Sequence, residues 1–193
     1  MHSNNLNSEK NSEQNNEKEM RVFMTKENYI KMTQPVRDHA GLAKGIHIAN
    51  KLCTGVMYLA YPVLLVYLFF NAKYSSYFSF TKALLVPAVS FVLLSVFRSW
   101  VNRPRPYEKF EVPPVIKKDT KGHSFPSRHV FSAAMIAMTF LLMSPWSWLG
   151  IIFLGVSVAL AVVRVVSGVH FISDVIAGIA AAVVAATAGY LII

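Results

Sequence analysis

The chain has 193 residues, of which 54% are hydrophobic and 15% charged, and a formal net charge of +9. A soluble domain carries about 25% charged residues, and the shortfall here is concentrated. Residues 52–97 hold only Lys73 and Lys82 as ionisable Lys, Arg, Asp, Glu or His, and residues 129–193 only His129, Arg164, His170 and Asp174. No soluble fold shields that much apolar surface from water, so the composition implies an all-α, polytopic transmembrane helix bundle.

In chain order, residues 1–20 are rich in Asn, Ser, Glu and Lys with little to bury, and form an expected disordered polar N-terminus. They lack the apolar core of a cleavable signal peptide, so the first span is expected to direct insertion itself. Residues 21–50 mix Val22, Phe23, Met24, Tyr29, Ile30 and Met32 with Arg21, Lys26 and Lys31; Pro35 interrupts, then Leu42, Ile46 and Ile48 follow. That pattern predicts short amphipathic helices at the bilayer surface, too polar to cross.

Residues 51–193 form the expected transmembrane domain. A crossing takes about 20 apolar residues, and five segments qualify: 52–70, 80–97, 129–143, 148–166 and 171–193. The third is short. Tyr74, Tyr77, Trp100, Tyr107, Trp146 and Trp148 lie near span ends, where interfacial aromatics concentrate. In the last span Gly178, Ala182 and Ala186 recur every four residues, a pattern that lets helices approach closely. With alternating crossings, the 98–128 loop and the 164–171 turn emerge on one face.

The basic balance does not indicate nucleic acid, because neither basic stretch carries stacked aromatics or a recognition motif. Basic loops beside anionic lipid account for it. Cys53, the single cysteine, permits no internal disulfide and no cysteine metal cluster, and reads as a packing residue.

Ionisable groups inside a span cost at least ~2.5 kcal/mol for Arg or Asp, which makes them functional candidates. Three sets stand out: Arg98-x6-Arg105-Pro106, Pro126-Ser127-Arg128-His129, and Arg164-x5-His170-x3-Asp174. His170 and Asp174 are four positions apart, a spacing that puts both on one helix face, where the carboxylate can hold Nδ1–H and free Nε2 as nucleophile or base. Ser127 is the expected N-cap of the third span, beside exposed amides suited to a phosphate. His129 follows in the first turn, within proton-exchange range. Arginine forks match phosphate oxygens bidentately. No second carboxylate lies near enough in sequence to suggest a Mg²⁺ or Zn²⁺ cage, and no nucleotide loop is present. What remains is phosphoryl transfer to an imidazole, with arginines in place of a metal.

These sets resemble the signature motifs of the type 2 phosphatidic acid phosphatases, K-x6-R-P, P-S-G-H and S-R-x5-H-x3-D. Matches fall at Arg105, Pro106, Pro126, Ser127, His129, Arg164, His170 and Asp174. Three positions depart: Arg98 replaces Lys, Arg128 replaces Gly and Val163 replaces Ser. The resemblance implies a cofactor-free, metal-independent membrane phosphatase. His170 would attack phosphorus, Asp174 orient it and His129 protonate the leaving group. Arg98, Arg105, Ser127 and Arg164 would hold phosphoryl oxygens, with Arg128 as a further contact. The implied partners are the bilayer and a phosphorylated lipid: phosphatidic acid, phosphatidylglycerophosphate or a polyprenyl pyrophosphate.

His123, Lys117, Lys118 and Lys121 match no motif and read as solvated loop residues, and Arg103 reads as a loop charge or a lipid headgroup contact. The resemblance implies an active site on the extracytoplasmic face of the cell membrane, whereas the excess of loop lysines on that face points the other way; sidedness is taken from the resemblance. Two rival classes remain, a vanadate-dependent haloperoxidase-like enzyme and a non-catalytic lipid-phosphate-binding protein.

Overall fold

The computed structural model describes residues 25–72, 77–118 and 120–192, and among these described residues seven α-helices follow one another. The expected disordered segment 1–20, the start of the amphipathic segment, Lys73 and Tyr74 lie outside the described residues. Among the described residues there is no strand.

Helix α1 (Lys26–Asp38) starts at Thr25, whose hydroxyl accepts the Asn28 amide at 3.2 Å. Its buried residues Tyr29, Thr33 and Val36 repeat at three- and four-residue spacing, which puts them on one face. Pro35 lies inside this helix, contrary to the expected interruption there. The break comes at His39, whose backbone is extended, and α2 (Ala40–Asn71) runs on from it. Nothing stops the helix between Ala40 and Lys51, so the first spanning helix begins twelve residues before its apolar segment, and Leu42, Ile46 and Ile48 belong to it.

Helix α3 (Tyr77–Val101) is the second span, and a short α4 (Pro106–Phe110) lies in the following loop. Then come α5 (Arg128–Met143), α6 (Ser147–Val166) and α7 (Ile172–Thr187), which closes in a π-helical turn at Ala188–Ile192. Among the described residues four helices are long and apolar enough to cross a membrane: α2, α3, α6 and α7 with its closing turn. With the shorter apolar α5 they make up the five predicted segments, and the protein is a multi-pass membrane bundle.

The 16 residues of α5 extend only about 24 Å. Its length matters less because it is the central helix: every residue from Val130 to Phe140 except Ser132 is buried. Helices α2, α3, α6 and α7 all pack against it. Outer helices expose large apolar side chains such as Leu59, Phe70, Leu93 and Ile151, as lipid-facing surfaces do.

Close approach of α7 to the start of α5 sets up the site. Gly178, Ala182 and Ala186 are buried, and a Cβ on Gly178 would stand 2.9 Å from the Ser127 carbonyl oxygen. Only with that contact open does the Ser127 amide reach the Asp174 carbonyl, at 2.8 Å.

Candidate active site

The two loops predicted to share a face are stitched together. Gly168 permits the turn after α6: its φ is +76°, and a Cβ there would meet the Tyr29 hydroxyl. That hydroxyl lies 3.3 Å from both the Val112 and Gly168 carbonyl oxygens, so α1 clamps the loop to the turn. The Val115 amide donates to the Ser167 carbonyl at 2.9 Å. Tyr29, Phe110 and Phe171 stack beneath in a chain of ring contacts.

His170 sits in this turn, two residues before α7. Its relation to Asp174 is therefore not the within-helix pairing that the spacing predicts. Asp174 occupies the third position of the helix and accepts the Phe171 amide at 2.9 Å, while His170 Nδ1 lies 3.4 Å from the same Oδ2. Nδ1–H is assigned as the donor from this network, which leaves Nε2 unprotonated, an acceptor. Arg105 Nη1 lies 3.5 Å from Nε2. Burial pushes the His170 imidazole down to about 4, against the pull of Asp174, so it is neutral at pH 7.

Asp174 is fully buried. Besides His170 and its own helix cap it accepts Ser124 Oγ on Oδ2 and Arg103 Nη1 on Oδ1, the latter at 2.8 Å. Arg103 also donates to Ser173 Oγ at 2.8 Å and lies over the Phe171 ring, 4.5 Å from its centroid. It is no loose loop charge. Residues 102–105 are non-helical, and side chains two apart in such a stretch tend to share a side. That spacing is a signal that could have joined Arg103 to Arg105. Nothing in the sequence marks Ser124.

Ser127 is the N-cap residue of α5, as predicted, but its hydroxyl makes no capping bond. Ser127 Oγ is buried without a hydrogen-bond partner, and so is Arg164 Nε at the end of α6. Unsatisfied buried donors cost about 1–3 kcal/mol each, and an anion within reach of them would relieve that cost. Arg105 donates from Nε to the Gly122 carbonyl at 3.1 Å and from Nη1 toward the Val169 carbonyl. Arg98 spends both terminal nitrogens on the Pro126 and His123 carbonyls, so it braces the loop that presents Ser127.

His129 is half-buried on the first turn of α5, within electrostatic reach of Arg164, Lys118, His170 and Arg128. Arg128 is exposed, its guanidinium 5.4 Å from the Phe91 centroid, and it lines a cavity of about 240 Å³ with Arg98, Arg105, Lys121 and His123. Lys118, read from sequence as solvated, is half-buried. Burial and the neighbouring Arg164, Arg105, Arg128 and Arg98 push it down to about 8. Among the described residues no group of three or more His, Cys, Asp or Glu is placed to hold a metal ion.

A family model described as the PAP2 superfamily matches residues 76–193. The fold is similar to that in the crystal structure of Aquifex aeolicus LpxE, with a TM-score of 0.64 and 22% identity, over 84% of this chain and 92% of that one. It is also similar to a crystal structure described as the first transmembrane PAP2 type phosphatidylglycerolphosphate phosphatase from Bacillus subtilis. There the TM-score is 0.56 at 22% identity, over 83% of this chain and 90% of that one. No curated protein matches the sequence.

Proposed function

Because the chain belongs to the PAP2 superfamily, we propose that it is a metal-independent membrane phosphatase that hydrolyses a lipid phosphate or diphosphate through a phosphohistidine. The observation that carries this reading is the pair of orphaned buried donors, Ser127 Oγ and Arg164 Nε, in the cluster that holds a neutral, Asp174-oriented His170. A binding protein has no use for an imidazole whose Nε2 is held unprotonated; a nucleophile needs one.

Nε2 of His170 attacks phosphorus. The bond to the leaving oxygen breaks, its electron pair stays on that oxygen, and His129 supplies the proton. Ser127, Arg105 and Arg164 hold the three equatorial oxygens where charge concentrates, and each such donor is worth about 10²–10³ in rate. Arg98 keeps the Ser127 loop in place and adds its field. Arg128 extends the contact toward the headgroup. Water, activated by His129, then cleaves the phosphorus–nitrogen bond, releases inorganic phosphate and restores the imidazole.

Phosphatidic acid, phosphatidylglycerophosphate and polyprenyl pyrophosphate are the candidate substrates, and the extracytoplasmic face is the proposed side. The test is phosphate release from these lipids by purified protein in EDTA. Activity that persists in chelator and disappears in His170→Ala and His129→Ala supports the reading; wild-type activity lost to chelator contradicts it.

A further inference from the structure

Three successive carbonyls of the α6–α7 turn are each held from outside the turn. The Ser167 carbonyl accepts the Val115 amide at 2.9 Å, the Gly168 carbonyl faces the Tyr29 hydroxyl at 3.3 Å, and the Val169 carbonyl faces Arg105 Nη1 at 3.4 Å. His170 is the next residue. Its own amide and that of Val169 turn inward to the Arg164 carbonyl, at 3.3 and 3.2 Å. The backbone that aims the imidazole is therefore fixed by contacts on both sides, since no helix runs through it.

Of the three outer holds, only Tyr29 comes from beyond the loop and the candidate phosphate site. It stands on α1, outside the residues 76–193 that the family model matches, so the motif positions do not supply it. Tyr29 is fully buried, and burial pushes its phenol up to about 12, which keeps it a donor across the neutral range. A phenol has one proton, and the Val112 and Gly168 carbonyl oxygens lie equally far from it. Whichever of them accepts it, the hydroxyl fills the space between loop and turn, and the missing side chain at Gly168 leaves room for it. On the other side of His170, Phe171 rests on Phe110 and Phe110 on Tyr29, with ring centroids 6.1 and 5.3 Å apart. Residues before and after the imidazole thus both bear on Tyr29.

Building on the phosphatase reading, we propose that Tyr29 is a positioning residue for the nucleophile, by which helix α1 holds the α6–α7 turn and with it the direction of His170 Nε2. Tyr29 touches no reacting atom. It acts through the peptide at Gly168: a loosened turn swings the imidazole off the line of attack and lengthens its 3.4 Å contact with Asp174 Oδ2. Misplacing a reacting group by about 1 Å costs about 10²-fold in rate, so a small shift of this turn is visible in turnover. Ser127 and Arg164 belong to helix ends that the hydroxyl does not touch, which leaves substrate binding unaffected.

The experiment measures kcat and KM of the full chain for phosphate release from phosphatidic acid, phosphatidylglycerophosphate and a polyprenyl pyrophosphate, in wild type, Tyr29→Phe and Thr33→Val. Tyr29→Phe keeps the ring on Phe110 and removes the hydroxyl from the buried Gly168 carbonyl. Its kcat is expected to fall about tenfold, the order of one buried hydrogen bond left unmade, with KM within twofold of wild type. Thr33→Val is the control on α1 packing: Thr33 is equally buried, and its hydroxyl bonds within α1, to the Tyr29 carbonyl at 2.8 Å. Its kcat is expected to match wild type. The ¹³C-labelled His170 midpoint should rise from about 4 toward 6.5 in Tyr29→Phe, as the turn admits water, and stay in place in Thr33→Val. A kcat within twofold of wild type for Tyr29→Phe, a loss confined to KM, or an equal loss in Thr33→Val overturns the positioning role while leaving a His170-dependent phosphatase intact. No phosphate release by the wild type from any of these lipids defeats the underlying reading as well.

Discussion

Arg103→Ala tests whether the charge behind the catalytic carboxylate matters. Among the described residues Oδ1 of Asp174 accepts only from Arg103, at 2.8 Å, whereas Oδ2 has Ser124, the Phe171 amide and His170. Removing the guanidinium leaves a buried carboxylate oxygen unpaired. A hydrogen bond to a charged group is worth about 1.5–3 kcal/mol. The Arg103 side chain is 21% exposed, so water can enter the vacated space, and the lower half of that range applies. At 1.4 kcal/mol per tenfold, phosphate release by Arg103→Ala is expected to lose about 10–50-fold in kcat with little change in KM, because Arg103 holds Asp174 rather than substrate. Both polar bonds leave from one nitrogen, Nη1, so a lysine ammonium can make them, and Arg103→Lys should recover most of the loss. A kcat within twofold of wild type for Arg103→Ala, or a loss confined to KM, refutes the positioning role.

Three further outcomes follow from the same geometry. Ser127→Ala removes a hydroxyl with no protein partner, so kcat should fall about 10²–10³-fold while the Tm stays level or rises; a lower Tm with unchanged kcat contradicts the cradle. Gly178→Ala places a Cβ 2.9 Å from the Ser127 carbonyl oxygen. The gain of up to about 1 kcal/mol in helix propensity is outweighed by about 1–3 kcal/mol of overpacking, so Tm and turnover should both fall, and wild-type values for both would show the approach is not needed. His170 held near 4 instead of 6.5 stays neutral through pH 5. Its unfolded form binds the proton first, so its contribution to stability is complete above 6.5 and is lost as pH falls toward 4. The chemical shift of ¹³C-labelled His170 should give a midpoint near 4; one near 6.5 contradicts its burial.

Much of this site is legible in the sequence because its chemistry is expensive in a bilayer: Arg164, His170 and Asp174 stand out against 65 nearly uncharged residues, and their spacing survives folding. The helices are legible for the same reason, by apolar length. What escapes is decided by neighbours. Whether α5 faces lipid or protein depends on four packed helices, and periodicity along one helix cannot report that all its sides are covered. Pro35 stays helical because the neighbouring backbone still closes its turns, and His39 breaks the chain instead. Arg103, Ser124 and Lys118 look like ordinary loop residues, and only the folded loop brings the first two onto Asp174 and the third within electrostatic reach of Arg164. The pairing of His170 with Asp174 was foreseeable, yet through a turn and a helix cap rather than along a helix face.

The central claim is that His170 carries the phosphoryl group. Rapid quenching of the full-length protein with a ³²P-labelled lipid substrate tests it directly. A protein-bound label is expected that is stable in alkali, lost in acid, mapped to the peptide containing His170 and absent in His170→Gln. Turnover with no such adduct, or an adduct that persists in His170→Gln, would contradict it.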